Sequence, residues 1–520
     1  MHIIQSFASG ALLRPQSAGL RRLSMLFNSY EFLVGFFPVV FVGFFVLGAY
    51  SRRVAAAWLG LASLFFYAYW RIDALPLLVV SILVNYAFGL AVTPAPQRTA
   101  RARRLALVAA VALNLGVLAY FKYANFLLGN VDAVLHALSR PEIHALEVIL
   151  PIGISFFTFT QIAFLVDCYE GKVRERSFNH YLLFVSYFPH LISGPVLHHS
   201  QMMPQFREAR TYRLSIDNVV QGLFGVAVGL AKKVLIADEF SQYASPVFDA
   251  ARDGWQPGFT AAWMAALAYT AQIYFDFSGY SDMAIGLSRM LGIGLPLNFN
   301  APYKATSIID FWRRWHMSLS QFLRDYLYFR LGGNRRGPAR RYVNLMLTML
   351  LGGLWHGASW TFVAWGGLHG TYLLVNHAWR SVAGRLPGLG PSSAAVGRLA
   401  GAMLTFLAVV VAWVFFRSST FAGALRMLAG MTHPATLGAL PTRVGSYDLP
   451  PSSPGYVAAM FAVAFAIVWL APTTQDLTAR LAAERRDAAW VASGALLFAV
   501  GLLAIVNASH QISEFIYFNF

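Results

Sequence analysis

The sequence predicts an all-α, polytopic membrane protein, and three observations carry that prediction. First, 57% of the 520 residues are hydrophobic and 12% are charged. Soluble globular proteins carry about 25% charged residues, so there is too little charge here to cover a water-facing surface of this size. Second, the mean hydropathy is +0.54, with the apolar residues gathered into successive runs. Third, the basic residues fall in short clusters between those runs, where they set topology and meet anionic headgroups. The net charge of +17 therefore points to a membrane surface and not to nucleic acid. Cys168 is the single cysteine, which excludes an internal disulfide and a cysteine metal cluster.

Taken in order, Met1 to Ser24 hold Arg14, Arg21 and Arg22, no acidic residue and no long apolar core. A signal peptide needs such a core, so residues 1–24 read as an upstream extension with Met25 as the expected start. A disordered cytoplasmic arm is the alternative. Candidate spans follow at Phe32–Leu47, Val54–Trp70, Leu75–Val92, Ala106–Tyr120, Val148–Val166, Tyr181–Ser193, Val219–Ile236, Phe259–Phe275, Val343–Trp355, Thr361–Val375, Ala400–Phe416, Tyr456–Leu470 and Ala489–Ile505. About 11 of these are expected to be true spans, given about 20 apolar residues per crossing. Tyr181–Ser193 ends in Phe-Pro-His-Leu-Ile-Ser-Gly-Pro and reads as a re-entrant or broken segment, tolerated only where protein surrounds it. Arg52-Arg53, Arg98–Arg104, Lys172–Arg176, Arg313–Arg341, Arg380–Arg398 and Arg480–Arg486 are expected on the cytoplasmic side. Lys232-Lys233 fits that pattern less well and allows a cytoplasmic amphipathic helix. Gly384–Val396 reads as a linker and Met431–Pro454 as a longer polar connection. No internal repeat is evident, and residues 25–520 are expected to form a single membrane domain.

The segment 271–370 departs most from what lipid requires. In Gln272–Asp282, two carboxylates and several hydroxyls interrupt apolar sequence. Asp276 either caps a helix or bonds backbone donors, or it orients a catalytic group or binds substrate. Leu295-Pro-Leu-Asn298-Phe-Asn300-Ala-Pro302-Tyr303 cannot be a regular helix and implies an ordered loop. Over Ile308–Arg330 helical spacing returns, with Trp312, Trp315, Leu319, Phe322, Leu323 and Tyr326 on one face and His316 at its edge. Arg313, Arg314 and Arg324 point elsewhere. Leu331–Gly337 is a glycine-rich basic turn, suited to a phosphate or simply to a positive-inside loop. Leu350–Trp360 then delivers His356 into an apolar run. Imidazole titrates near neutral pH and can move a proton, and an ionisable group at such a place usually faces a cavity, a partner or a substrate path. A histidine bonded into a helix bundle is the plainer reading, for His356 as for His316. Gly352, Gly353 and Gly357 leave room for a second backbone or a substrate. No Gly-x-Ser-x-Gly elbow, His-Glu-x-x-His helix, Walker motif or dinucleotide fingerprint is present.

Tyr274–Asp282, Phe311–Ser320 and Gly352–Gly357 resemble the core of the membrane-bound O-acyltransferase family, in the bacterial polysaccharide O-acetylation branch typified by alginate O-acetyltransferase. Tyr120–Phe126, Leu150–Phe156, Phe188–Pro195 and Phe515–Phe520 extend the likeness from about Met25 to the C-terminus, although Asn519 stands where Gln is expected. The resemblance implies a ring of tilted helices around a central tunnel, with His356 as the catalytic histidine and His316 as a second active-site residue. It implies a cytoplasmic acetyl donor, acetyl-CoA, with no bound cofactor and no metal. It also implies a polysaccharide acceptor, periplasmic acetyltransferase partner proteins and residence in the bacterial inner membrane. Asp276, Asn298 and Trp312, with Arg313, Arg314 and Arg335 for the phosphates of the donor, are the expected substrate-binding residues. The alternatives are a transporter or channel whose histidines relay protons, which inverted repeats would favour, and D-alanyl transfer to teichoic acid.

Overall fold

The computed structural model describes residues 25–141, 143–383, 391–483, 492, 494–496, 498–499, 501–502 and 515–516. The extension 1–24, most of the candidate span Ala489–Ile505, the start of the linker Gly384–Val396, and Asn519 lie outside the described residues. The protein is all-α. Among the described residues, strand pairing is confined to a small antiparallel hairpin, Arg443–Val444 against Tyr447–Asp448, inside the polar Met431–Pro454 connection.

Glu31–Tyr50, Ile72–Val92, Ala100–Ala137, Ile216–Arg252 and Ala395–Arg417 are each long and apolar enough to cross a bilayer. The pair Pro454–Leu470 and Thr474–Ala483, bent by 59°, forms a sixth if taken as one broken span. Length and apolarity thus single out fewer described spans than expected. Most of the remaining candidates in the described chain are also largely helical, but they are shorter or more polar, as with Ile154–Tyr169 and Gly337–His356. Val34, Val39, Val42 and Val46 line one exposed apolar face of the helix Glu31–Tyr50. That face suits lipid, which offers no hydrogen bonds.

The centre is the helix Phe259–Met290, buried on every side along most of its length. A helix covered on all sides belongs in a core, and at 1.5 Å per residue this one is about 48 Å long. Its closest neighbour is Ile216–Ala231. A Cβ at Gly229 would sit 2.5 Å from the Gly279 carbonyl oxygen, and one at Gly279 would sit 2.7 Å from that of Gly229. Only hydrogen fits there, and small residues let helices approach where lipid supplies no hydrophobic drive. Two ion pairs then join the same helices. Lys232 meets Asp282 at 2.6 Å and Lys233 meets Asp276 at 2.7 Å. Lys233 is 1% exposed, so this pair of lysines is interior and not a surface amphipathic face.

Tyr181–Ser193 is broken as expected. Helix Phe178–Ser186 stops at Tyr187, a short turn Phe188–Leu191 follows, and the chain runs non-helically to His198 with nearly every residue buried. Ile308–Arg330 is not one continuous helix. It divides into Ile308–Trp312 and Met317–Phe322, then loosens into a π-turn at Leu323–Tyr328. The break is at His316, whose φ is +42°. Its cause lies elsewhere in the chain. The Asn298 carbonyl accepts from the Met317 amide (2.9 Å), and the Arg314 carbonyl accepts from the Asn300 amide (2.9 Å). The loop therefore takes backbone groups that would otherwise continue the helix.

Candidate active site

His356 is the last residue of the helix Gly337–His356. The helix reaches its neighbour closely because Gly353 has no side chain: a Cβ there would lie 2.2 Å from the Phe362 carbonyl oxygen. The imidazole sits among Trp355, Trp365 and Phe416, with ring centroids 4.9, 5.1 and 5.1 Å away. His316 comes from the other wall. The two imidazole centroids are 6.3 Å apart, and both residues are buried.

Asn298 holds His316 in place. Its Oδ1 lies 3.0 Å from His316 Nδ1 and accepts from Ser318 Oγ at 2.9 Å, while its Nδ2 donates to Ser281 Oγ at 3.3 Å. Ser318 is itself fixed by the Val196 amide at 2.9 Å. Because the atom facing Nδ1 is an acceptor, the ring donates from Nδ1 to Asn298 Oδ1, and in that neutral tautomer Nε2 is the acceptor nitrogen. Phe277 packs edge-on against the ring at 4.8 Å. A non-glycine residue held in the left-handed region costs energy and persists only when its surroundings fix it. Here the surroundings are the Asn298 loop.

The other expected site residues separate into groups. Trp312 is one layer out: its Nε1 donates to His369 Nδ1 (3.3 Å), and His369 packs on Trp365, which packs on His356. His369 was missed, although it lies in Gly366-Gly-Leu-His369-Gly370 and carries the same signal, an ionisable group inside an apolar run. Arg314 pairs with Asp310 at 3.0 Å and reaches the Asn300 carbonyl at 3.3 Å. Arg313 is exposed on the adjoining turn. Asp276 is not a helix cap, being mid-helix. Its Oδ1 meets Lys233 and its Oδ2 accepts the Ile516 amide at 2.9 Å, so both of its oxygens serve the fold.

Arg335 lines a polar cavity of about 610 Å³ together with Asp167, Lys172, His198, His199, Asp325, Tyr326 and Arg330. Asp167 Oδ2 bonds His199 Nδ1 at 2.8 Å and Tyr326 OH at 2.6 Å, and Tyr326 OH also lies 3.2 Å from His198 Nδ1. At the mouth, burial raises the Glu170 carboxyl, but hydrogen bonds from Lys172 and Arg330 outweigh it and hold Glu170 below the usual carboxylate range. Neither site histidine lines this cavity. Between them lies an aromatic layer. Tyr326 packs on Phe322 (5.1 Å), Phe322 stacks on Phe159 (4.6 Å), Phe159 stacks on Trp355 (5.6 Å), and Trp355 adjoins His356.

Comparisons with known proteins show the family. Residues 111–389 match the model of the membrane-bound O-acyltransferase family. The peptidoglycan O-acetyltransferase of Helicobacter pylori is 38% identical over 96% of this chain and 98% of its own. The probable alginate O-acetylase AlgI of Azotobacter vinelandii is 44% identical over 78% of each chain. A teichoic acid D-alanyltransferase of Streptococcus thermophilus is 28% identical over 46% of this chain. The chain, an acyltransferase, belongs to the membrane-bound O-acyltransferase family.

Proposed function

We propose that the protein is an O-acetyltransferase of the bacterial inner membrane, moving acetyl groups from a cytoplasmic thioester, acetyl-CoA, toward a polysaccharide outside. The observation that carries this reading is the meeting of two buried imidazoles, 6.3 Å apart, one at a helix end and one held by Asn298. In the reaction an acceptor hydroxyl oxygen attacks the thioester carbonyl carbon. His356 takes the hydroxyl proton, and the tetrahedral intermediate collapses with cleavage of the carbon–sulfur bond. The thiolate leaves and takes the proton back from the imidazolium, so the base is regenerated. His316, through Nε2 as acceptor, takes a hydrogen bond from a neighbouring hydroxyl of the acceptor and so orients the one that reacts.

The donor enters through the polar cavity, with Arg335, Arg330 and Lys172 for its phosphates, and its acyl end passes the Phe159, Phe322 and Trp355 layer. That layer keeps water from the thioester and limits futile hydrolysis. Asp276 belongs to the scaffold in this reading, and Arg313 and Arg314 lie off the donor path. The acceptor is an exopolysaccharide such as alginate, reached directly or through periplasmic acetyltransferase partners. Peptidoglycan is the second reading, favoured by the nearly full-length likeness to a protein of that activity. D-alanyl transfer has weaker support, from a likeness confined to under half the chain.

The test is deletion of the gene in its host, with ester-linked acetate measured in secreted polysaccharide and in purified peptidoglycan. Wild type should restore acetate in one of the two, and His356→Ala should restore neither at equal protein level. Full restoration by His356→Ala would end the proposal.

A further inference from the structure

The helix Ala100–Ala137 loosens into a π-turn at Ala119–Tyr123. Such turns recur at functional sites, and this one presents two polar side chains to the interior. Lys122, 9% exposed, donates from Nζ to the Trp355 carbonyl, to the His356 carbonyl at 3.4 Å and to Ser155 Oγ at 3.0 Å. Tyr123 OH donates to the Leu354 carbonyl at 2.8 Å. Leu354, Trp355 and His356 are the last three residues of the His356 helix. The final carbonyls of a helix have no amide above them, and inside a membrane no water replaces that amide.

An ordinary cap would need one such donor. Here two consecutive residues of another helix bind three consecutive carbonyls, ending on the residue whose side chain meets His316. We propose that Lys122, assisted by Tyr123, is a positioning residue that clamps the carbonyl end of this helix and fixes the His356 imidazole relative to its partner. This inference rests on the reading of His356 as the base. It assigns Lys122 no contact with substrate.

The experiment uses the full chain in lipid nanodiscs with acetyl-CoA and an oligosaccharide acceptor, comparing Lys122→Met, Tyr123→Phe, His356→Ala and the Lys122→Met/His356→Ala pair. For Lys122→Met, kcat should fall on the order of 100-fold, the scale of an ångström-sized misplacement. KM for the donor and the thermal midpoint should stay near wild type. Hydrogen exchange should quicken in peptides covering residues 350–360. In the His356→Ala background, where turnover is already at background, Lys122→Met should still quicken exchange over residues 350–360. Wild-type kcat, an effect on KM alone, or unchanged exchange there would overturn the clamp. If His356→Ala itself turns over normally, the base assignment falls, and the exchange readout alone then decides whether Lys122 holds the helix end. Should Lys122→Met fail to accumulate, Tyr123→Phe, which removes one hydroxyl, decides by the same comparison.

Discussion

Replacing Asn298 with Leu removes the side chain that holds His316 while keeping similar bulk. The Asn298 oxygen serves two buried partners, His316 Nδ1 at 3.0 Å and Ser318 Oγ at 2.9 Å. Each donor left without an acceptor costs about 1–3 kcal/mol, so the local turn loses roughly 2–6 kcal/mol. The left-handed backbone at His316, φ +42°, is worth about 1–3 kcal/mol of strain, which the lost bonds no longer offset. The Met317 amide still bonds the Asn298 backbone carbonyl at 2.9 Å, so the loop stays in place while the imidazole and its turn relax. If about 2.7 kcal/mol of the loss appears in the transition state, kcat falls about 100-fold. The assay is transfer of labelled acetate from acetyl-CoA to an oligosaccharide in nanodiscs, with KM for the donor and the thermal midpoint followed in parallel. The expected result is a lower kcat with donor KM within about twofold of wild type, since Asn298 does not line the donor cavity. Wild-type kcat in a folded variant would refute a catalytic purpose for the Asn298–His316 arrangement.

Two further expectations concern charges. Lys233→Leu should leave Asp276 buried and under-compensated and cost about 3–5 kcal/mol, seen as loss of accumulated protein. Adding Asp276→Leu should recover folding and most activity, and an inactive but folded double variant would return Asp276 to the substrate site. Arg335→Glu, on the wall of the cavity, should raise donor KM roughly two- to fivefold at low salt, less at high salt, with kcat unchanged. An unchanged KM would remove Arg335 from the donor path.

The helices themselves were legible because apolar runs near bilayer length admit few other structures. Leu75–Val92 appears with the expected bounds. His356, His316 and Asn298 were each conspicuous as polar groups in apolar sequence, yet nothing in local spacing showed that they meet. That meeting depends on the Asn298 loop bonding across to residues 314 and 317, which also explains why a periodic pattern over Ile308–Arg330 read as one helix. Periodicity registers which face is apolar and is blind to a backbone amide taken by a distant loop. Asp276 does accept a backbone amide, that of Ile516, but it caps no helix, and its cation, Lys233, could not be read because it lies 43 positions away. His369 obeyed the rule that singled out His356 and was passed over. Lys122 sat in a recognised string, but its role needs the third dimension, since its targets are carbonyls more than 230 positions distant. The aromatic layer was equally hidden, because Phe159, Phe322 and Trp355 come from three separate helices.

The most direct test reconstitutes the protein in vesicles, supplies acetyl-CoA on the Arg335 side alone, and measures release of free coenzyme A in the presence of an acceptor saccharide on the other side. Wild type should release thiol in step with ester formation. His356→Ala, matched for amount and thermal midpoint, should release neither thiol nor ester above background. Equal thiol release by the two proteins would contradict the assignment of His356 as the base and, with it, the chemistry built around the imidazole pair.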